Sequence, residues 1–232
     1  MNLTNTIRST AFAFAVSLSA LSAVPASAAS VTIGNWDSGN CYPFSCLASE
    51  RNGTTYQQIY SSSAFSGPLS FNTISFFQDT AGLMDSASYN ISFSTTSTAV
   101  NGLSPVWASN IGGDSQVFGT FSVSGSMPSI LSFTGNSFAY DPSMGNLLMT
   151  VDIFGLTQAN GYQSFFQADY TGVDTTRLYA YGGSPEGAVD IGALRTEFSN
   201  VSAVPEPETY AMMLAGLALL GFAARRRKQQ AA

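Results

Sequence analysis

Hydrophobic and polar residues alternate with a period of two through the central part of the chain. The pattern occurs in five segments, at residues 69–76, 89–93, 118–123, 147–154 and 162–166. A period of two places successive side chains on opposite faces of a β-strand. Ser, Thr, Asn and Gln occupy the polar positions. Each segment is therefore predicted to be an antiparallel strand with one buried and one hydrated face.

Short clusters of Gly, Pro, Asn and Asp separate these segments, at residues 66–68, 101–102, 112–114, 141–146 and 182–185. Turns at such short intervals, without the period of an amphipathic helix between them, predict an all-β fold: an antiparallel β-sandwich or jelly roll. Residues 29–203 are long enough for one domain with one core. In the 141–146 cluster, Pro142 and Gly145 predict a β-hairpin between its two flanking strands.

The N-terminal segment, residues 1–28, has the features of a secretory signal peptide. Arg8 precedes an apolar run at residues 11–24, and the small residues Ala26 and Ala28 follow it. This order, with small residues at the first and third places of an A-x-A triplet, is what signal peptidase accepts. We expect cleavage after Ala28.

The C-terminal segment, residues 204–232, contains a second apolar run at residues 209–224. As a helix this run spans about 24 Å, enough to cross a bilayer with local thinning, so it is predicted to be a single transmembrane helix. A basic tail follows at residues 225–228. Its four cations hold that end in the cytoplasm, as Arg8 does for the signal segment, so the domain between them lies across the membrane.

The triplet Pro205-Glu206-Pro207 stands directly before the apolar run. Its two prolines favour a stiff, extended peptide. A Pro-Glu-Pro triplet, an apolar helix and an arginine cluster in this order resemble the PEP-CTERM sorting signal. The resemblance implies that an exosortase, a membrane-embedded cysteine transpeptidase, removes the tail. It makes Pro205, Glu206 and Pro207 the recognition residues, and the stop-transfer cluster consists of Arg225, Arg226, Arg227 and Lys228.

The same resemblance implies a destination and a role. The protein would reside transiently in the inner membrane and then reach the cell surface or the extracellular matrix. Because the family is associated with exopolysaccharide and biofilm, a structural or adhesive component with matrix polysaccharide as its partner is implied. Two alternatives are a secreted carbohydrate-binding module and a histidine-free glycoside hydrolase. A third is a β-domain that stays anchored in the membrane.

Composition excludes several functional classes. The chain has no histidine, which excludes Ser/His/Asp hydrolases and the common zinc hydrolases. Only 9% of its residues are charged, which is not the composition of a cytosolic enzyme. The part between the two terminal segments has three basic and twelve acidic residues, so its net charge is about −9. Nucleic acid is not expected as a partner, because its phosphates would be repelled. We expect neither an enzyme nor a bound cofactor or metal.

The two cysteines and several aromatic residues are the next candidates for a structural or binding role. Cys41 and Cys46 are the two cysteines of the chain and are predicted to form a disulfide after export. Tyr179 and Tyr181 share one face of a predicted strand and are candidate sugar contacts, although core or cross-strand packing explains the same spacing and is the favoured interpretation. Other aromatic residues able to stack on sugar rings are Trp36, Trp107 and Tyr170.

Acidic residues leave two further alternatives open. A pair of carboxylates could hydrolyse a glycosidic bond without histidine. No motif selects a pair from the eligible residues, which are Asp37, Glu50, Asp152, Asp169, Glu186 and Glu197. Asp141, Asn146 and Asp152 offer the oxygen ligands that calcium prefers, but their spacing is that of neither an EF-hand nor a repeat loop.

Overall fold

The computed structural model of the chain describes residues 29–46, 53–180, 184, 186–203, 216, 217 and 220. Its strands are β1 (Ala29–Ile33), β2 (Ser38–Asn40), β3 (Thr55–Tyr60), β4 (Leu69–Thr80), β5 (Leu83–Thr96), β6 (Gln116–Ser126), β7 (Ile130–Tyr140), β8 (Asn146–Thr157), β9 (Phe165–Asp169), β10 (Thr175–Tyr179), β11 (Ala188–Asp190), β12 (Ala193–Leu194) and β13 (Thr196–Ala203). Short 3₁₀ helices lie at Ser62–Ala64, Trp107–Asn110 and Pro142–Met144.

The strands form two sheets. The first has the order β1-β13-β4-β9-β12, with β7 also paired to β4 and β2 also paired to β9. The second has the order β11-β10-β3-β8-β5-β6. Every pairing between these strands is antiparallel. The predicted all-β, antiparallel fold is confirmed.

The core lies between the two sheets and is largely aromatic. Phe71 of β4 packs against Phe93 of β5 with ring centroids 4.9 Å apart, so residues of opposite sheets are in direct contact. Phe198 of β13, in the same sheet as β4, lies 4.8 Å from Phe71 and contacts Phe93 across the interior at 6.2 Å. All three rings are buried. The hydrophobic positions of the alternating segments therefore face one another across the interior, as face-to-face packing requires.

Four of the five predicted strand segments lie within observed strands: 69–76 in β4, 89–93 in β5, 118–123 in β6 and 147–154 in β8. The segment predicted at 162–166 begins too early, because β9 starts at Phe165. Tyr162 is 91% exposed. Its carbonyl oxygen accepts a hydrogen bond from the Leu83 amide at 2.7 Å, which holds this loop against the start of β5.

The predicted hairpin at 141–146 is wrong. Its flanking strands belong to different sheets, since β7 pairs with β4 while β8 pairs with β3 and β5. Gly145 nevertheless has the positive φ that was expected of it, 141°. The Asp141 carboxylate also accepts a hydrogen bond from the Ser143 amide at 2.9 Å. The segment is a corner between sheets, because each flanking strand has its partners elsewhere. Local turn residues do not determine which strands pair.

The first and last strands lie side by side. β1 pairs with β13, with Ala29 opposite Val201, and β13 ends at Ala203, opposite Leu69 of β4. The predicted signal peptide at 1–28 lies outside the described residues. So does most of the predicted span at 209–224, where residues 216, 217 and 220 are helical. In the described part of the chain, no helix combines the length and hydropathy needed to cross a membrane.

Candidate functional site

The two cysteines close a small loop that reaches into the core. Cys41 and Cys46 are joined by a disulfide, with their Cα atoms 5.1 Å apart. Between them, Phe44 is fully buried. Its ring lies 4.9–5.5 Å from four aromatic rings, which belong to Phe76, Tyr89, Phe133 and Phe166. The loop therefore places a buried aromatic side chain in the core between the two sheets.

Tyr179, one of the two candidate sugar contacts, lies at the end of β10 and is half-buried. The guanidinium carbon of Arg177 is 4.6 Å from the centre of its ring, and the ring of Tyr42 is 5.4 Å away. These contacts pack Tyr179 against the protein. Tyr181 lies outside the described residues, and the strand that was expected to align the two tyrosines ends at Tyr179.

Arg177 is held by a carboxylate of the neighbouring strand. Its Nη2 and Nε atoms donate to Oδ2 of Asp190 at 2.5 and 3.2 Å, which ties β10 to β11. Burial alone would raise the pKa of Asp190, but the hydrogen bond and the charge of Arg177 outweigh it and lower this pKa. The Arg177 side chain is 7% exposed. Its Nη1 atom has no hydrogen-bond partner among the described residues.

A second polar cluster joins the two sheets and was not predicted from the sequence. The Gln58 side chain of β3 donates to the Leu194 carbonyl of β12 at 2.7 Å and accepts from the Leu194 amide at 2.9 Å. The Tyr56 hydroxyl also donates to Gln58, at 2.7 Å. Burial raises the pKa of Tyr56, so this phenol remains a neutral donor. The available signal was the Gln57-Gln58 pair inside an otherwise apolar strand.

Most of the candidate acid–base residues serve local structure. Asp37 accepts from the Tyr170 amide at 2.9 Å, and Asp152 accepts from the Thr55 hydroxyl at 2.8 Å. Asp169 is buried and accepts from the amide of the nearby Thr171 at 2.7 Å. The other candidates are Glu50, which lies outside the described residues, Glu186, which is exposed, and Glu197, which accepts from Thr32 at 3.4 Å.

The calcium alternative does not fit the structure. Asn146 and Asp152 both lie on β8, six residues apart, which separates them by about 20 Å along the strand. The Asn146 side chain instead accepts from the Ser62 amide and donates to the Thr98 carbonyl, both at 2.8 Å. Within the described residues, no group of three or more His, Cys, Asp or Glu is placed to hold a metal ion.

Of the aromatic residues considered for sugar stacking, Trp36 is the most accessible indole. It is 60% exposed, and its indole N–H donates to Oδ1 of Asp79 at 2.8 Å. Asp79 lies near the end of β4, so the ring is anchored to the first sheet. Trp107, in contrast, packs partly buried against a small core cluster. Trp36 therefore offers a fixed, exposed ring, which Tyr179 does not.

The last strand leads directly into the C-terminal segment. β13 passes through the core at Phe198 and ends at Ala203, one residue before the segment predicted to carry the sorting signal. Residues 203–228 match the PEP-CTERM protein-sorting motif. This match confirms the resemblance and supports an exported protein that an exosortase sorts and processes at the membrane. No curated protein and no solved structure matches the chain.

The sorting residues themselves lie outside the described part of the structure. Pro205, Glu206 and Pro207 fall within the matched range, as does the basic cluster at 225–228. The predicted signal-peptidase residues, Ala26 and Ala28, are also outside the described residues. The region that the comparison identifies is thus the segment that follows β13.

Proposed function

We propose that this protein is a structural or adhesive component of the cell surface or extracellular matrix, associated with exopolysaccharide or biofilm. We further propose that its two sheets form a β-sandwich that an exosortase delivers to the outside. The observation that carries the proposal is the PEP-CTERM motif, which starts at the last residue of the folded domain. The proposal assigns no catalytic role to the domain.

The outer surface of the domain supports a role in a hydrated polysaccharide. Hydroxyl groups pair across β4 and β7, where the side-chain oxygens of Ser70 and Ser137 are 2.6 Å apart at the surface. A similar contact joins β5 and β6, where Thr120 donates to Asn90 at 3.1 Å. Uncharged hydroxyl and amide groups exchange hydrogen bonds readily with sugar hydroxyls and with water. Such a surface suits weak, repeated contacts with a glycan matrix.

The sorting step is tested in the producing cell with the full chain. A variant in which Pro205, Glu206 and Pro207 are all replaced by alanine should accumulate in the membrane with its basic tail attached. The matched control is Glu208→Ala, which removes one acid next to the triplet and leaves the triplet intact. Surface labelling and intact mass give the two readouts. Equal delivery and processing of the triplet variant and the control would refute the proposal.

A carbohydrate-binding module is the second candidate, and the fixed, exposed ring of Trp36 favours it. Aromatic faces stack on sugar rings most effectively when their orientation is already set. Retention of the mature protein on extracted matrix polysaccharide should then fall for Trp36→Ala. Tyr162→Ala removes another exposed ring and serves as the control. The paired change Tyr179→Ala with Tyr181→Ala tests the sequence-based candidates. If neither Trp36→Ala nor the double tyrosine variant is retained less than the Tyr162→Ala control, specific binding through these rings is excluded.

A further inference from the structure

The sorting motif and the folded domain overlap at one residue. The motif match begins at residue 203, and Ala203 is also the last residue of β13, paired with Leu69 of β4. Pro205 follows two residues later, at most about 7 Å along an extended chain. An enzyme that cuts a peptide must hold several residues on both sides of the bond in an extended form. The space between sheet and triplet is too short for this.

In the described part of the chain, the last two residues of β13 are paired along one edge only. β1 covers one edge of β13 and begins at Ala29, opposite Val201. Beyond that point, the pairing described for Ser202 and Ala203 is with Ser70 and Leu69 of β4. Two residues can therefore leave the sheet without disturbing the contact between β1 and β13.

The neighbouring parts of the fold would remain in place after such a release. Leu69 of β4 keeps its other partner, Tyr140 of β7, whose hydroxyl donates to the Gly145 carbonyl at 2.7 Å. Further back in β13, the buried ring of Phe198 lies 5.1 Å from that of Tyr60 and fixes the strand in the core. Separation is thus confined to the last residues of β13.

We propose that Ser202 and Ala203 separate from β4 when the exosortase takes the tail, so that its peptide substrate extends back into the folded domain. This inference rests on the proposed sorting function. It makes these two residues determinants of processing, although they belong to the last strand of the domain and precede the Pro-Glu-Pro triplet. The partner is the peptide-binding cleft of the processing enzyme, which takes an extended backbone.

The test is a cross-link that keeps the end of β13 paired. Ser70→Cys with Ser202→Cys places two thiols at opposite register positions of antiparallel strands, within the range that a disulfide spans. The control is Thr73→Cys with Ser199→Cys, on the same two strands but before the segment that must separate. In the full chain, oxidised 70–202 material should be processed at least tenfold more slowly than the oxidised control. Reduction should restore processing.

A second variant separates a blocked tail from a damaged domain. Six Gly and Ser residues inserted between Ala203 and Val204 give the enzyme an extended peptide outside the sheet, so processing of the 70–202 cross-linked chain should recover. The inference would be overturned if the 70–202 cross-linked chain without the insert were processed as fast as the 73–199 control. It would also be overturned if the insert did not restore processing of the 70–202 cross-linked chain. A wild-type chain that keeps its tail would instead refute the proposed function.

Discussion

Phe44→Ala tests whether the disulfide loop is anchored by packing more than by its covalent link. The Phe44 ring is fully buried and makes four aromatic contacts with rings of both sheets. Replacing it with alanine leaves a cavity between the sheets. The surrounding rings belong to paired strands, which limits how far they can move to fill it. The change therefore loses both buried surface and packing contacts.

The expected losses of unfolding free energy differ between removal of the Phe44 ring and removal of the disulfide. Truncation of a buried phenylalanine costs about 3–5 kcal/mol of unfolding free energy. Removal of the disulfide by Cys41→Ser with Cys46→Ser opens a loop whose cysteines are five residues apart. Loop-closure entropy for so short a loop gives about 2 kcal/mol. Phe44→Ala is thus expected to destabilise the domain more than loss of the disulfide does.

Urea unfolding of the mature domain, followed by tyrosine and tryptophan fluorescence, measures both effects. With a slope of about 2 kcal/mol per molar urea, a loss of about 4 kcal/mol lowers the midpoint by about 2 M. The control Tyr162→Ala removes an exposed ring and should change the free energy by less than about 0.5 kcal/mol. A smaller loss for Phe44→Ala than for the double cysteine variant would refute this account of the loop.

Three further predictions concern stability. Gly145→Ala brings a Cβ within 2.5 Å of a β5 carbonyl oxygen at a positive φ, so it should lower the melting temperature more than Gly125→Ala, where φ is also positive but the space is open. An equal effect would contradict the steric argument. Gln58→Met leaves both backbone groups of Leu194 without their partner and should lower the free energy of unfolding in urea by at least about 2 kcal/mol. A loss below about 0.5 kcal/mol, which is the range of an ordinary surface substitution, would contradict this prediction. The folded pKa of Asp190 is below its ordinary 3.8, so its ion pair stabilises the domain above that pH and the contribution disappears as pH falls through the folded pKa. The melting-temperature difference between wild type and Asp190→Asn should therefore narrow in acid, and a constant difference would contradict it.

The class of fold was accessible from the sequence because it depends on short-range alternation. Segments such as 89–93 bury every second residue, and a period of two requires strands with one inward face. Sheet membership was not accessible. The corner at Pro142 and Gly145 has the residues of a hairpin turn, yet it joins strands of opposite sheets. Which strand lies beside which is decided by contacts between residues far apart in the chain.

The candidate functional residues also fall into two groups, those that a linear motif reveals and those that depend on the fold. The sorting signal is linear, so the order of Pro205, Glu206, Pro207 and the basic cluster sufficed to recognise it. The packing of Tyr42 against Tyr179 could not be predicted, because Tyr42 reaches this ring from the disulfide loop, far away in the sequence. Gln58 illustrates the same limit: its partner, Leu194, is 136 residues away. Side chains that act through long-range contacts become visible when the fold is known.

The measurement that tests the central claim most directly is the intact mass of the protein recovered from outside the cell. The account predicts a mature chain that begins at Ala29 and has lost the segment containing Arg225, Arg226, Arg227 and Lys228. Its mass should place the new C-terminus close to Pro205. Recovery of an external protein whose mass still includes residues 209–228 would contradict sorting by an exosortase.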